Sequence, residues 1–97
     1  MSRSVLTPRA KADLDENWDY TEENWGSEQA ERYIRLIGAA IQTVAASPKL
    51  AKACHHIREG YRKYPAGSHI IFFRVVDGGI DVVRILHRRM DFERHLE

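Results

Sequence analysis

Three groups of side chains in this 97-residue chain are capable of chemistry. The first is a pair of histidines, His69 and His87, in a half of the chain that also holds Arg62, Arg84 and Arg88. Either histidine can serve as a general base for RNA cleavage while arginines steady the phosphate. Such a site normally assembles a base, an acid and several cations. The tail from His87 to Glu97 holds arginines and His95 but no tyrosine. No serine, histidine and acid arrangement points to a nucleophilic triad either. The histidines therefore read as structural or interfacial, and no catalytic residue is assigned. The second group is the run Cys54-His55-His56. Zinc sites want spaced ligands such as Cys-x2-Cys with His-x3-His, and that spacing is lacking. The run reads as a loop cysteine beside surface histidines, with no metal ligands and no cofactor motif.

The third group is basic: Arg58, Arg62, Lys63, Arg74, Arg84, Arg88 and Arg89. It reads as a cationic patch for an acidic protein or a nucleic acid, against the plainer alternative of solvated surface plus one structural ion pair. Arg84 is the informative member. Strand alternation places it on one face with Ile80, Val82 and Leu86, so it lies near the rim of an open face or pairs with an acid from the helices. The charge of the whole chain is only +1, but it is segregated. Residues 1–31 carry eight acidic and three basic side chains, net −5, and residues 32–97 carry six acidic and twelve basic, net +6. That asymmetry suggests two electrostatic faces and a partner for one of them.

The elements that must position these groups follow from pattern. Arg3 to Leu6 forms a short edge strand. Thr7-Pro8 starts a helix, because Thr7 can cap free backbone N–H groups and Pro8 needs no donor at the first helical position. Ala10, Leu14, Trp18, Thr21 and Trp25 follow at helical spacing, with core or boundary packing the default for Trp18, Tyr20 and Trp25, and exposure at a protein interface the alternative for Tyr20. Gly26 fits a helix C-cap and Ser27 the next N-cap. Ala30, Tyr33, Ile34, Ile37, Ile41, Val44 and Ala45 make the apolar stripe of a second helix, ended by Ser47-Pro48. Two helices so closely joined must form an antiparallel hairpin. Strands are expected over Gly60–Tyr64, Ser68–Val76 and Ile80–His87, with turns at Pro65-Ala66-Gly67 and Asp77-Gly78-Gly79. A short C-terminal helix has room to start at Asp91. The order β-α-α-β-β-β gives an α+β domain, a helical hairpin on one face of a small, mainly antiparallel sheet. The helices cover one sheet face, and the other is expected to stay partly open.

One domain is the natural reading of this length, which can bury roughly 65% of the unfolded surface. Hydrophobic residues at 43% and charged residues at 30% place the chain with ordered globular proteins, not disordered ones. One cysteine rules out an internal disulfide. With no signal-peptide-like stretch and no apolar run near ~20 residues, a cytosolic protein without membrane contact is expected.

Several segments resemble one family in order along nearly the whole chain. Leu6-Thr7-Pro8-Arg9-Ala10-Lys11-Ala12-Asp13-Leu14, Trp18-Asp19-Tyr20 and Trp25-Gly26 are similar to the opening of ParE-type toxins of the RelE/ParE superfamily. Ile57-Arg58-Glu59-Gly60-Tyr61-Arg62 and Gly67 to Val75 resemble its central motifs, and Val83 to Asp91 with His95-Leu96 its ending. Asn17, where an apolar residue is usual, and the Cys54-His55-His56 run depart from the pattern.

The resemblance implies the toxin of a type II toxin–antitoxin pair. ParE-like members poison DNA gyrase by binding it, and a ParD antitoxin, itself a DNA-binding dimer, wraps and silences the toxin. DNA is then reached only through antitoxin or gyrase. On this reading Arg84, His87, Arg88, Arg89 and Arg94 face gyrase. Tyr20, Arg58, Tyr61, Arg62, Tyr64 and Arg74 face the antitoxin, whose acidic tail suits the cationic half. The alternative is a RelE-type, ribosome-dependent mRNA endonuclease using Arg62, Arg84, His87 and Arg88 around a phosphate. The tail without a tyrosine counts against it.

Overall fold

The computed structural model describes residues 3–96. Its elements are β1 (Arg3–Leu6), α1 (Pro8–Trp25), α2 (Ser27–Ala46), β2 (Lys52–Ala53), β3 (Tyr61–Ala66), β4 (His69–Val76), β5 (Gly79–His87) and α3 (Phe92–His95). They build the expected α+β architecture. The five-stranded sheet has the order β1-β5-β4-β3-β2, with β1 parallel to β5 and every other pair antiparallel. Strand β2 goes beyond the expected set, because two residues are too few to show any alternation. No helix among the described residues is long and apolar enough to cross a membrane.

Thr7 does the work its type suggests, and more. Its Oγ1 accepts from the Ala10 N–H at 3.2 Å, capping α1, and donates to the Val83 carbonyl at 3.0 Å. The Thr7 N–H donates to the Val82 carbonyl. One turn later Asp13 Oδ2 accepts the Ile85 N–H at 2.9 Å. Where β1 stops at Leu6, the first turns of α1 thus take over the outer edge of β5, whose backbone groups would otherwise lack partners. Gly26 alone joins the helices, at φ +91°, a conformation that favours glycine. Ser27 is therefore the first residue of α2 and makes no capping bond, contrary to its expected role.

The main core lies between the hairpin and the sheet. Ile37, Ile41 and Val44 of α2 and Ala10 of α1 pack on Ile71, Phe73, Ile80, Val82 and Ile85, all buried. The expected stripe on α1 is only partly right. Trp18 is half-buried, and Trp25 is 64% exposed because the helix runs past the sheet before it ends.

Two further expectations are corrected. First, β5 does not alternate throughout. Phe72 lies opposite Arg84 and Phe73 opposite Val82, so Val83 is an extra residue, a β-bulge. Ile80 and Val82 face the helices, whereas Arg84 falls in register with Phe72 and shares the opposite side with Leu86. Second, that opposite side is not left open. Phe72, Leu86, Cys54 and Leu96 are buried together there, and Ile57, Ile70, Tyr61, Val83 and Phe92 close around them. The Phe72 and Phe92 rings meet edge to face at 4.9 Å. The four-residue spacing of Phe92 and Leu96 puts both on one side of a single helical turn, so the C-terminal segment straps a second, smaller core. Cys54 is thus not a surface loop residue. Its burial pushes the thiol above its ordinary range, against the pull of Lys63 and Arg62.

Candidate functional site

Arg84 takes the second of its two expected places, in a pair with an acid from the helices. Its Nε and Nη2 donate to Asp13 Oδ2 and Oδ1, each at 2.8 Å, a two-pronged pair that is mostly buried. Its Nη1 donates to the His95 carbonyl at 3.0 Å. The bond to Asp13 holds the guanidinium charged beyond its ordinary range, and burial opposes this. Arg84 therefore clamps three elements, α1, β5 and the segment carrying α3, with no donor left for a macromolecular target on the Asp13 side.

The rest of the C-terminal basic set is different. Arg88 and Arg89, in the turn after β5, and Arg94, on α3, are exposed and form no ion pair with any described residue. His87 is half-buried and its Nδ1 accepts the Arg89 N–H at 3.1 Å, which shapes that turn. The strap 88–96 is thus held on its inner side by Phe92, Leu96 and Arg84, and exposes three cations unpaired among the described residues.

The six residues assigned to an antitoxin are not brought to one place. Arg58, Tyr61 and Arg74 gather on the strap side of the sheet, with the Arg58 guanidinium 5.8 Å from the Tyr61 ring centre and Arg74 paired with Asp81. Tyr64 packs on the main core, and Arg62 donates to the Ala51 carbonyl at the sheet margin. Tyr20 lies away from all of them on α1 and is 60% exposed. Nor do the four residues of the endonuclease alternative converge. Arg62 lies beside Phe73 and His87 beside His69, four residues apart on β4, roughly 13 Å along the strand.

The structure does assemble a groove that the sequence did not mark. It has a volume of about 550 Å³ and runs between α1 and the ends of β4 and β5. At its base Tyr33 anchors the β3–β4 turn. The Tyr33 hydroxyl accepts the Ser68 N–H at 2.8 Å and contacts His69 Nδ1 at 2.7 Å. The hydroxyl also donates to the Ala66 carbonyl at 3.4 Å, and the direction of its bond to His69 Nδ1 follows the imidazole tautomer. Gly67 makes this possible. Its φ is +62°, and a Cβ there would stand 2.9 Å from the Tyr33 ring. His69 and His87 are directly opposed across the strands, rings 5.4 Å apart and edge to face. Across the groove stand Asn17, Tyr20 and Trp25. The only hint of it was the polar Asn17 at a core phase of α1.

Burial, and then the neighbouring His87, push His69 below the usual histidine range, with Asp13 acting weakly against them. A folded-state value below the unfolded one means that the native protein binds fewer protons. Stability is therefore full above the unfolded value of about 6.5 and is lost as pH falls through the folded value. We expect the melting temperature to drop between pH 7 and pH 5, and the drop to shrink in His69→Gln. Melts showing equal slopes in the two proteins would exclude His69 as the cause.

The comparisons with known proteins agree with this geometry. Residues 5–92 match the family described as ParE toxin of type II toxin-antitoxin system, parDE. A protein named Toxin ParE1 from Mycobacterium tuberculosis is 53% identical over 96 residues, 98% of each chain. Another Toxin ParE1, from Caulobacter vibrioides, is 42% identical over 91 residues, 94% of each chain. Among solved structures, the chromosomal ParDE TA system from P. aeruginosa superposes with a TM-score of 0.77 at 22% identity, covering 90% of this chain and 96% of that one. The YoeB-YefM complex from Staphylococcus aureus has a TM-score of 0.58 at 15% identity, covering 91% and 98%. These last two likenesses speak for the fold.

Proposed function

The chain belongs to the ParE toxin family of type II toxin–antitoxin systems, and from that premise we propose that it acts in the cytoplasm by docking onto DNA gyrase and is silenced by a ParD-type antitoxin. The toxin stabilises gyrase on its cleaved DNA and performs no bond-breaking of its own. The single observation that carries this reading is the strap: Arg88, Arg89 and Arg94 are exposed on it, and no acid among the described residues pairs with them. Exposed arginines without a partner among the described residues suit recognition of an acidic macromolecular face. The neighbouring structures support the partner, since one is a ParDE system and the other a toxin-fold chain in a YoeB-YefM complex. The endonuclease alternative receives no such support, because Arg84 is engaged with Asp13 and Arg62 lies apart from His87.

The test is a supercoiling assay with purified gyrase. Added toxin is expected to stop supercoiling and accumulate linear DNA, and prior addition of the antitoxin to prevent both. Unchanged supercoiling at toxin excess removes gyrase as the target. New codon-spaced cuts in transcripts after induction would restore the endonuclease reading.

A further inference from the structure

The far end of the strap is held by its carbonyls. A helix leaves its last C=O groups without partners of its own, and α3 has only four residues. Arg84 takes one of these groups, donating to the His95 carbonyl at 3.0 Å. Arg58 takes the next, donating from Nη1 to the Leu96 carbonyl at 3.3 Å. Asp13 orients Arg84. Arg58 is oriented by its own loop, which closes on itself. The Cys54 N–H donates to the Tyr61 carbonyl at 2.9 Å, and the Tyr61 N–H to the Arg58 carbonyl at 3.2 Å. The Cys54 carbonyl accepts from the Ile57 and Arg58 N–H groups at 3.0 and 3.2 Å. His55 adds a further tie, its Nδ1 accepting the Gly60 N–H at 3.0 Å. The Arg58 guanidinium lies over the Tyr61 ring, 5.8 Å from its centre, within range of attraction to the ring face.

We infer that Arg58 is a positioning residue for target binding: by holding the Leu96 carbonyl it fixes the far end of the strap, and with it the direction in which Arg94 is presented. The inference rests on the gyrase reading above and adds to it a residue that acts through the strap. Phe92 and Leu96 face the second core, and Arg94, two residues from each, falls on the other side of the turn. One turn of helix has too few internal bonds to hold its own shape. The direction of Arg94 is therefore set by what pins the turn. The Phe92 ring against Phe72 pins its start, and the two arginine bonds pin its end. A side chain presented in one direction loses less freedom on docking than one on a loose tail. The same loop also supplies a reporter. Cys54, the single cysteine of the chain, is fully buried in the second core with Leu96, so lifting the strap end uncovers its thiol.

The test compares wild type, Arg58→Met and Arg58→Lys by gyrase supercoiling titration, by labelling of Cys54 with a thiol reagent under native conditions, and by thermal melts. Arg58 is exposed, so Arg58→Met should melt close to wild type. With the bond to Leu96 gone, its Cys54 labelling is expected to quicken about tenfold, and the toxin concentration for half inhibition to rise by a similar factor. Arg58→Lys keeps a charged donor and should recover both together. Potency lost at wild-type labelling would assign Arg58 to the contact itself and overturn the positioning role. Full potency in Arg58→Met would overturn it as well. In both cases inhibition by the wild-type toxin leaves the gyrase reading in place. A wild-type toxin without effect on gyrase overturns that reading and the role of Arg58 with it.

Discussion

Asp13→Ala is expected to cost about 3–5 kcal/mol of unfolding free energy, the range for breaking a buried ion pair by removing one partner. The carboxylate accepts three hydrogen bonds, two from Arg84 and one from the Ile85 N–H at the edge of β5. Its removal leaves a guanidinium whose side chain is 16% exposed without a counter-charge, and a strand-edge donor without an acceptor. For a domain whose whole stability is about 5–15 kcal/mol, that is a large share. Urea unfolding followed by circular dichroism measures it. Arg84→Met in the Asp13→Leu background should recover much of the loss, because an apolar pair leaves no uncompensated charge. A cost for Asp13→Ala under about 1 kcal/mol would place the pair with solvated surface bridges and contradict its role as a clamp.

The second large effect is functional and leaves the fold intact. Reversing the strap in Arg88→Glu/Arg89→Glu/Arg94→Glu should raise the toxin concentration needed to inhibit gyrase by about 100-fold or more. Like charges set against one another at an interface cost several kcal/mol, and each 1.4 kcal/mol is tenfold. The three side chains are exposed and unpaired with described residues, so the melting transition should stay close to wild type. Supercoiling titrations beside thermal melts separate lost docking from lost folding. Full potency in the triple variant would clear the strap of any part in target binding.

What the sequence made legible, and what it hid, follows the reach of each signal. The Thr7-Pro8 start, the α2 stripe and the β4–β5 hairpin rest on local patterns that act within a few residues, and the structure carries all of them. The bulge at Val83 was hidden because Val82-Val83 is apolar whichever way the strand turns. The strap core was hidden because Phe92 and Leu96 sit among charged residues, and their common side has meaning only once Phe72 and Leu86 are known to wait beneath it. Trp25 was misplaced because helical phase says which side faces the core but not where the sheet ends. The site divides likewise. The exposed cations of the strap were named from the sequence, and Arg84 was left between two places. The groove needed long-range partners, Tyr33 with His69 and Asn17 across from both, that no spacing rule connects.

On the proposed function, the strap over the second core is the surface that meets the target. Hydrogen–deuterium exchange of the toxin alone and bound to gyrase tests it most directly. Amides of residues 88–96 are expected to slow on binding, while exchange in the outer turns of α1 and α2 is unchanged. Slowing confined to the helical hairpin, with 88–96 exchanging as in the free toxin, would contradict it.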